Sequence, residues 1–194
     1  MDRREEKRVH PPEDAVLEFA VWPAGTVPPP RLPLEALGPP RACSRSGLRL
    51  ELADAAPLGL GLRLWAGPEA TAALAEAPAL FLYLKLRDYR YDDPGGVLSL
   101  FVHAATAHAD PQDGGVRFGL RITHQGRGSS FEKSIELLDV SRFGVTELAA
   151  WADAVDRRRQ RREAGAADGL ELETLLAEPA LNDPTPAAAK GNGS

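Results

Sequence analysis

The 194-residue sequence predicts a mainly β fold: an antiparallel β-sandwich or open barrel of about seven strands, with a short helix near residues 68–77 and a C-terminal amphipathic helix. Three observations predict it. Short segments alternate apolar and polar residues with a period of two, which is typical of strands with one buried face. Clusters of Asp, Pro and Gly separate these segments. One later segment carries apolar residues at helical spacing.

The most regular alternation lies between Ala79 and His124. Three consecutive runs carry apolar residues at even-numbered positions, and two turn-forming clusters separate them. Because successive side chains of a strand point to opposite faces, these residues predict one shared buried face. They are Leu80, Leu82, Leu84, Leu86, Leu98, Leu100, Val102, Ala104, Val116, Phe118, Leu120 and Ile122.

The lengths of the two turns predict how the three strands pair. The first hairpin is expected to place Tyr91 opposite Val97, and therefore Lys85 opposite His103. The second is expected to place His103 opposite Arg121. Like charges opposite one another are unfavourable, so solvent, an acidic side chain or an anionic ligand must offset them.

Two interpretations of this odd-numbered face stay open. The first is an ordinary solvated face, which is the norm in antiparallel sheets. The second is an anion-binding face for nucleotide or nucleic acid, with aromatic residues between the charges. Its candidate residues are Lys85, Arg87, His103, Arg117 and Arg121.

Four further strands are predicted near residues 15–22, 48–52, 60–64 and 131–140; in the last, apolar residues move to odd positions such as Ile135 and Leu137. The segment 23–41 is rich in proline, which excludes a helix and a central strand. We expect a stiff crossover there, with docking of a PxxP segment to an SH3-type partner as the alternative.

Helix signals follow the same order along the chain. Pro68 suits the first position of a short helix that Pro78 stops. Thr146 is an expected N-cap, followed by an i, i+3, i+4, i+7 stripe of Leu148, Trp151, Ala152 and Val155. Asp153 and Asp156 are candidate partners for sheet arginines. A basic run at 157–162 and another short helix near 170–178 come next.

These segments predict a disordered arm at 1–14, a β-sandwich domain with its helix at 15–163, and a short helix with a disordered tail at 164–194. The net charge of −5 argues against a dedicated nucleic-acid binder, though not against a local basic patch. The charged start has no apolar signal segment and no stretch is long enough to span a bilayer, so a cytoplasmic location is expected.

Catalytic and metal-binding patterns are weak. Cys43 is the single cysteine, which excludes an internal disulfide. His103 and His108 have opposite parity and are expected to point apart, so no metal and no cofactor is predicted. Nothing pairs a nucleophile with a base, so no catalytic residue is predicted and an enzyme is the less favoured interpretation.

Two short motifs have a family counterpart. Asp139, Ser141 and Gly144 fit DxSxxG, and Arg117 and Arg121 fit RxxxR. Together they resemble the motifs of PilZ domains, in which they clamp the anionic dinucleotide cyclic di-GMP. In that family further strands follow DxSxxG and RxxxR precedes the barrel, whereas here a helix follows and RxxxR falls inside a strand. The resemblance covers fewer than 30 residues.

The function predicted first is a non-catalytic interaction module, such as an adaptor, assembly subunit or regulatory protein, that works through protein–protein contacts. A homo-oligomer is one form this can take. The alternatives are the anion-binding sheet face, for nucleotide or nucleic acid, and an enzyme without a recognisable motif.

Overall fold

A computed structural model describes residues 8–90, 95–112, 114–128 and 133–177, with side chains described up to residue 164. It confirms the mainly β, antiparallel fold and the C-terminal helix. The strands belong to one curled sheet that forms a half-barrel, so the open-barrel form of the prediction is the one observed.

All seven predicted strands and both main helices form, and two short strands are added. The strands are β1 (Val16–Ala24), β2 (Arg31–Pro33), β3 (Ala42–Cys43), β4 (Arg49–Ala56), β5 (Gly59–Trp65), β6 (Ala79–Arg87), β7 (Val97–Gln112), β8 (Gly115–Arg127) and β9 (Ser134–Asp139). The helices are α1 (Leu34–Leu37), α2 (Pro68–Ala75) and α3 (Thr146–Ala177), with 3-10 turns at Glu13–Ala15 and Ser44–Ser46.

Strand β8 is the branch point of the sheet. Strands β6, β7 and β8 form the predicted central meander, with β1 beside β6 and β3 beside β1. Along its other edge β8 is long enough for two partners, because residues 116–121 pair with β5 and residues 124–127 pair with β9. β4 then pairs with β5, and β2 pairs with β9.

The even-numbered residues of the meander form the core, as predicted. All twelve are buried in one cluster inside the half-barrel. The stripe of α3 joins the same cluster, where Leu148 and Trp151 are fully buried. Trp151 Nε1 donates a hydrogen bond to the carbonyl oxygen of Arg87 at 2.8 Å, which ties the helix to the end of β6. Binary patterning alone therefore placed the core correctly.

The predicted register of the first hairpin is wrong. Arg87 lies opposite Val97, so Lys85 faces Ser99 and His103 faces Phe81. β6 ends four residues earlier than expected, because the buried carboxylate of Asp88 accepts hydrogen bonds from the backbone and guanidinium of Arg90. This local Asx-type turn lengthens the connection. Tyr91 lies outside the described residues.

The predicted register of the second hairpin is also wrong. His103 lies opposite His124, and Arg121 lies opposite Ala105. Irregularities between His103 and Ala104 and between Thr106 and His108 shift the pairing, as β-bulges do. The second shift also moves His108 to the outer face, where its ring covers Gly119.

The proline-rich segment forms an edge strand and a helical turn. β2 pairs with β9 at the edge of the sheet, which agrees with the exclusion of a central strand. The exclusion of helix is wrong for α1, a single turn that follows Pro33. Proline fixes φ at a value that suits a helix start and lacks only a donor that a first turn does not need.

The start of the described chain lies against the sheet. Val9 is 4 % exposed and exchanges backbone hydrogen bonds with Ala55 at 2.9 and 3.0 Å. Residues 8–14 therefore differ from the predicted disordered arm, while residues 1–7 lie outside the described part. α3 continues through residues predicted to form a separate helix, as far as Ala177. Within the described residues, no helix is long and apolar enough to cross a membrane.

Candidate functional site: the outer face of the sheet

The five predicted anion-binding residues are spread over three strands, and no two of them lie opposite each other. Lys85 Nζ lies 3.0 Å from Glu18 Oε1, and Arg87 lies 3.4 Å from Asp14 Oδ2. These two cations thus have acidic partners on the chain before β6, which is one of the three ways of offsetting charge that the sequence left open.

His103 is fully buried, although the sequence predicted it on a solvated or ligand-binding face. Nε2 lies 2.9 Å from the carbonyl oxygen of Gly25 and Nδ1 lies 2.7 Å from Thr123 Oγ1. A carbonyl only accepts, so Nε2 carries the proton and donates it to Gly25. Nδ1 then accepts from the Thr123 hydroxyl, whose oxygen also lies 3.2 Å from the His103 carbonyl oxygen and 3.1 Å from His124 Nδ1.

This chain of hydrogen bonds links β8 to the loop that follows β1. Burial lowers the pKa of His103, with a smaller contribution in the same direction from His124, while the bond to Gly25 opposes them. The neutral imidazole satisfies both of its nitrogens in the chain. His103 therefore has a structural role, and its neighbours are Gly25 of the proline-rich segment, Phe81 of β6, and Thr123 and His124 of β8.

Arg117 and Arg121 remain on the outer face of β8. Arg117 lies opposite Arg63 on one side and Asp110 on the other, whereas Arg121 lies opposite Gly59 and Ala105 and is exposed. Among the described residues, neither arginine has a carboxylate within salt-bridge distance. These are the two residues of the predicted anion site whose charge the described chain leaves available.

The DxSxxG segment forms an ordered turn after β9. Asp139 Oδ1 accepts a hydrogen bond from the backbone of Ser141 at 2.8 Å, and hydrogen bonding from Ser141 lowers the pKa of Asp139. Gly144 has φ +74°, and an added Cβ would lie 2.8 Å from the carbonyl oxygen of Pro57. Phe143, between them, is 90 % exposed. The sheet places Asp139 opposite His124, so neither arginine of RxxxR is its paired neighbour.

The outer face also carries a second apolar cluster that the even-numbered pattern of the meander did not predict. Leu32, Phe81 and Leu137 are buried in it, with Trp22, Phe101 and Ile135 among the half-buried residues around them. The rings of Phe81 and Phe101 stack with centroids 5.7 Å apart. The sequence did contain a signal for this cluster. In β9 the apolar residues are odd-numbered, as are the aromatic residues of β6 and β7 that lie on the outer face.

A groove opens beside this cluster, between the start of β7 and the β8–β9 pair. We call it the outer groove. Its large lining residues are Leu34, Tyr83, Leu100, Phe101 and Ile135, and its small ones are Ser99, Gly126, Gly128 and Ser134. An added Cβ on Gly126 would lie 2.6 Å from both Phe101 and Ile135, so glycine is needed for β8 to pass this close. Leu34, at the rim, is 43 % exposed.

Two other chemistries have little support within the described chain. Cys43 Sγ lies 3.2 Å from Ser46 Oγ, and hydrogen bonding from Ser46 lowers the pKa of this thiol. Among the described residues, no histidine or carboxylate forms a hydrogen bond with Cys43 that would make it a base for the thiol. In those residues no group of three or more potential ligands is placed to hold a metal ion.

Comparison with known proteins gives one distant structural likeness. No protein-family model matches the chain, and no curated protein matches it. The structure of the Bacillus subtilis inhibitor of motility (MotI/DgrA) aligns with 83 % of this chain at 14 % sequence identity and a TM-score of 0.40. The chain spans about half of that protein, since 53 % of it is covered. This likeness is too distant to indicate function.

Proposed function

We propose that the protein is a non-catalytic interaction module that binds protein partners through its outer groove. The observation that carries this proposal is an apolar groove lined by Leu34, Tyr83, Phe101 and Ile135 on a sheet face whose surroundings are charged. Aromatic and aliphatic side chains in a partly formed depression are typical anchoring sites at protein interfaces.

Two properties of the groove support this proposal. Its walls rest on the second apolar cluster, where Phe101 packs against Phe81 and Trp22, so they are already ordered before a partner binds. Preorganised walls reduce the entropy that binding must overcome. Its rim keeps Leu34 in water, and burying that side chain on binding would contribute favourably.

The proposal is tested by a matched pair of leucine substitutions. Leu34 lies at the groove and Leu17 lies on β1, with exposures of 43 % and 39 %. Wild type, Leu34→Asp and Leu17→Asp are used as baits in extracts of the source organism, with circular dichroism to confirm folding. We expect the same partner proteins with wild type and Leu17→Asp and their loss with Leu34→Asp. Equal recovery with all three baits would refute binding at the groove.

A second candidate function is anion binding at Arg117 and Arg121. The observation that favours it is the direct pairing of Arg117 with Arg63, whose Nε is buried and has no hydrogen-bond partner in the described chain. Glu51, 3.8 Å from Arg63 Nη1, offsets part of the charge of Arg63, and Arg117 has no such partner among the described residues. Two like charges in opposite positions destabilise a sheet unless something offsets them. An oxyanion would accept from both guanidinium groups.

Binding to a nucleotide panel and a mixed oligonucleotide at low salt tests the second candidate. Arg117→Ala is expected to weaken any binding and its dependence on salt, whereas Lys85→Ala is expected to have little effect because Lys85 is held by Glu18. Absence of binding to every probe at low salt would reject anion binding while leaving the groove proposal untouched.

A further inference from the structure

Phe143 is a large apolar side chain held in water by an ordered turn. It is 90 % exposed, although its backbone nitrogen donates to the carbonyl oxygen of Val140 at 3.2 Å. Gly144 follows it in a left-handed conformation packed against Pro57, and Asp139 fixes the start of the turn. The ring therefore projects from a rigid support, which lowers the entropic cost of using it as a binding anchor.

The outer groove and Phe143 lie toward opposite ends of the same strand. Ile135 lines the groove, and Val140, which supports the turn, follows five residues later and still bonds to β8 through Thr123. Five residues of extended chain span about 17 Å, which is farther than a phenylalanine side chain reaches. Phe143 is thus unable to fill the groove of its own chain.

The two regions are also complementary in charge. Exposed Arg31, Arg127 and Lys133 surround the groove side of β9, and among the described residues there Glu35 and Glu136 are acidic. The turn and the start of α3 carry Asp139 and Glu147 beside Arg142. The groove side is therefore net positive and the Phe143 side net negative, which favours their approach.

From these observations we propose that a second copy of this chain occupies the outer groove with its Phe143. If each copy inserts its ring into the groove of the other, the contacts are reciprocal and the assembly closes as a twofold dimer. This inference rests on the proposed function, since it names the partner as the protein itself. It assigns the turn after β9 as the element that recognises the groove.

Light scattering coupled to size exclusion, over a wide range of protein concentrations, tests the inference on the full chain. We expect wild type to dimerise as concentration rises, and Phe143→Ala and Leu34→Asp each to raise the dimer Kd by about tenfold or more. Leu17→Asp should dimerise as wild type does. Higher salt should also raise the Kd.

Mixing the two defective variants distinguishes reciprocal insertion from other modes. Phe143→Ala retains an intact groove and Leu34→Asp retains its ring, so a mixture regains one of the two contacts. It should therefore associate more tightly than either variant alone. A wild type that stays monomeric at every concentration, or a Phe143→Ala dimer as tight as wild type, would overturn the inference. The proposed function is tested separately. If the Phe143→Ala bait still captures other proteins and the Leu34→Asp bait does not, the groove binds protein partners even though the dimer is absent.

Discussion

At the scale of single residues, burial and ion pairing decide whether a side chain on the outer face is available to bind a ligand. The residue type alone does not. His103 carries the chemistry of a ligand-binding residue, yet it is buried and both of its nitrogens are hydrogen bonded. Lys85 and Arg87 keep their charge, but acidic residues before β6 offset it. The outer face thus contains fewer available cations than the sequence implies.

The buried imidazole predicts how stability depends on pH. Because burial lowers the pKa of His103, the unfolded chain takes up this proton more readily, and stability is lost as pH falls through the ordinary histidine value of 6.5 toward the lower folded value. Urea unfolding at about pH 8 and about pH 5 should show a smaller loss for His103→Gln than for wild type. The control is His108→Gln, whose side chain is 52 % exposed and which should keep the wild-type dependence. An unchanged pH dependence in His103→Gln would contradict the prediction.

Alanine substitutions at two glycines distinguish the free-energy cost of an unfavourable backbone conformation from the cost of a steric clash. Gly144 and Gly114 have φ of +74° and +73°, but only at Gly144 would an added Cβ meet neighbouring atoms, those of Pro57. Gly114→Ala should lower the free energy of unfolding by about 1–2 kcal/mol through conformation alone. Gly144→Ala should cost clearly more, because the backbone of Pro57 must also move. Equal losses in denaturant unfolding would show that the Pro57 contact is relaxed at no cost.

At the scale of elements, α3 is part of the core of the half-barrel, because Leu148, Trp151 and Val155 are buried in it. Its stripe was readable because apolar residues three and four apart fall on one face of a helix. The helix begins at Thr146, which is its first helical residue and not the predicted N-cap, because the carbonyl oxygen of Val145 accepts from Ala149. The hydrogen bond from Trp151 to Arg87 could not be predicted from the stripe, because it joins residues 64 positions apart in the chain.

This bond makes Trp151→Phe a test of how α3 is attached. The substitution leaves the Arg87 carbonyl without its donor and leaves a small cavity, so we expect a loss of about 2–3 kcal/mol in the free energy of unfolding. Trp22→Phe is the matched control, because Trp22 Nε1 also donates to a carbonyl, that of Gly38, but at an exposed position. Its loss should stay below about 1 kcal/mol. Comparable losses in chemical denaturation would argue against a special role for the Trp151 contact.

At the scale of the whole molecule, the described residues up to Arg158 form one compact unit that contains the half-barrel core and the first turns of α3, and the described residues from Arg159 onward form another. The core of the first unit draws on β1, on β4 to β8, and on Leu148, Trp151 and Val155 of α3. Long-range pairing of this kind makes unfolding cooperative.

Two truncations test this organisation. A chain ending at residue 163 keeps the whole core and should unfold cooperatively with a midpoint close to that of the full chain. A chain ending at residue 145 loses Leu148, Trp151 and Val155, exposes the apolar strands they cover, and should lack a cooperative transition. Thermal melting followed by circular dichroism checks both. A cooperative melt of the shorter chain would show that α3 is dispensable for the core.

Local alternation along the chain was enough to predict which residues are buried. Period-two alternation in β6, β7 and β8 and the helical stripe of α3 depend only on neighbouring residues, so the core and the fold class could be predicted without coordinates. The candidate site could be predicted only in part: Arg117 and Arg121 remain on the outer face, while the row of Lys85, His103 and Arg121 does not form.

The strand register, and which residues meet on the outer face, could be learned only from the folded sheet. The early end of β6 at Asp88 and the bulges in β7 depend on a buried side chain and on sheet curvature, and each shift moves a charge to a new neighbour. The outer groove brings together residues 34, 83, 101 and 135, whose separation in the chain hides their contact. Parity predicts the face of a residue until a bulge intervenes, as it does before His108, and only the folded sheet shows which residues cover each face.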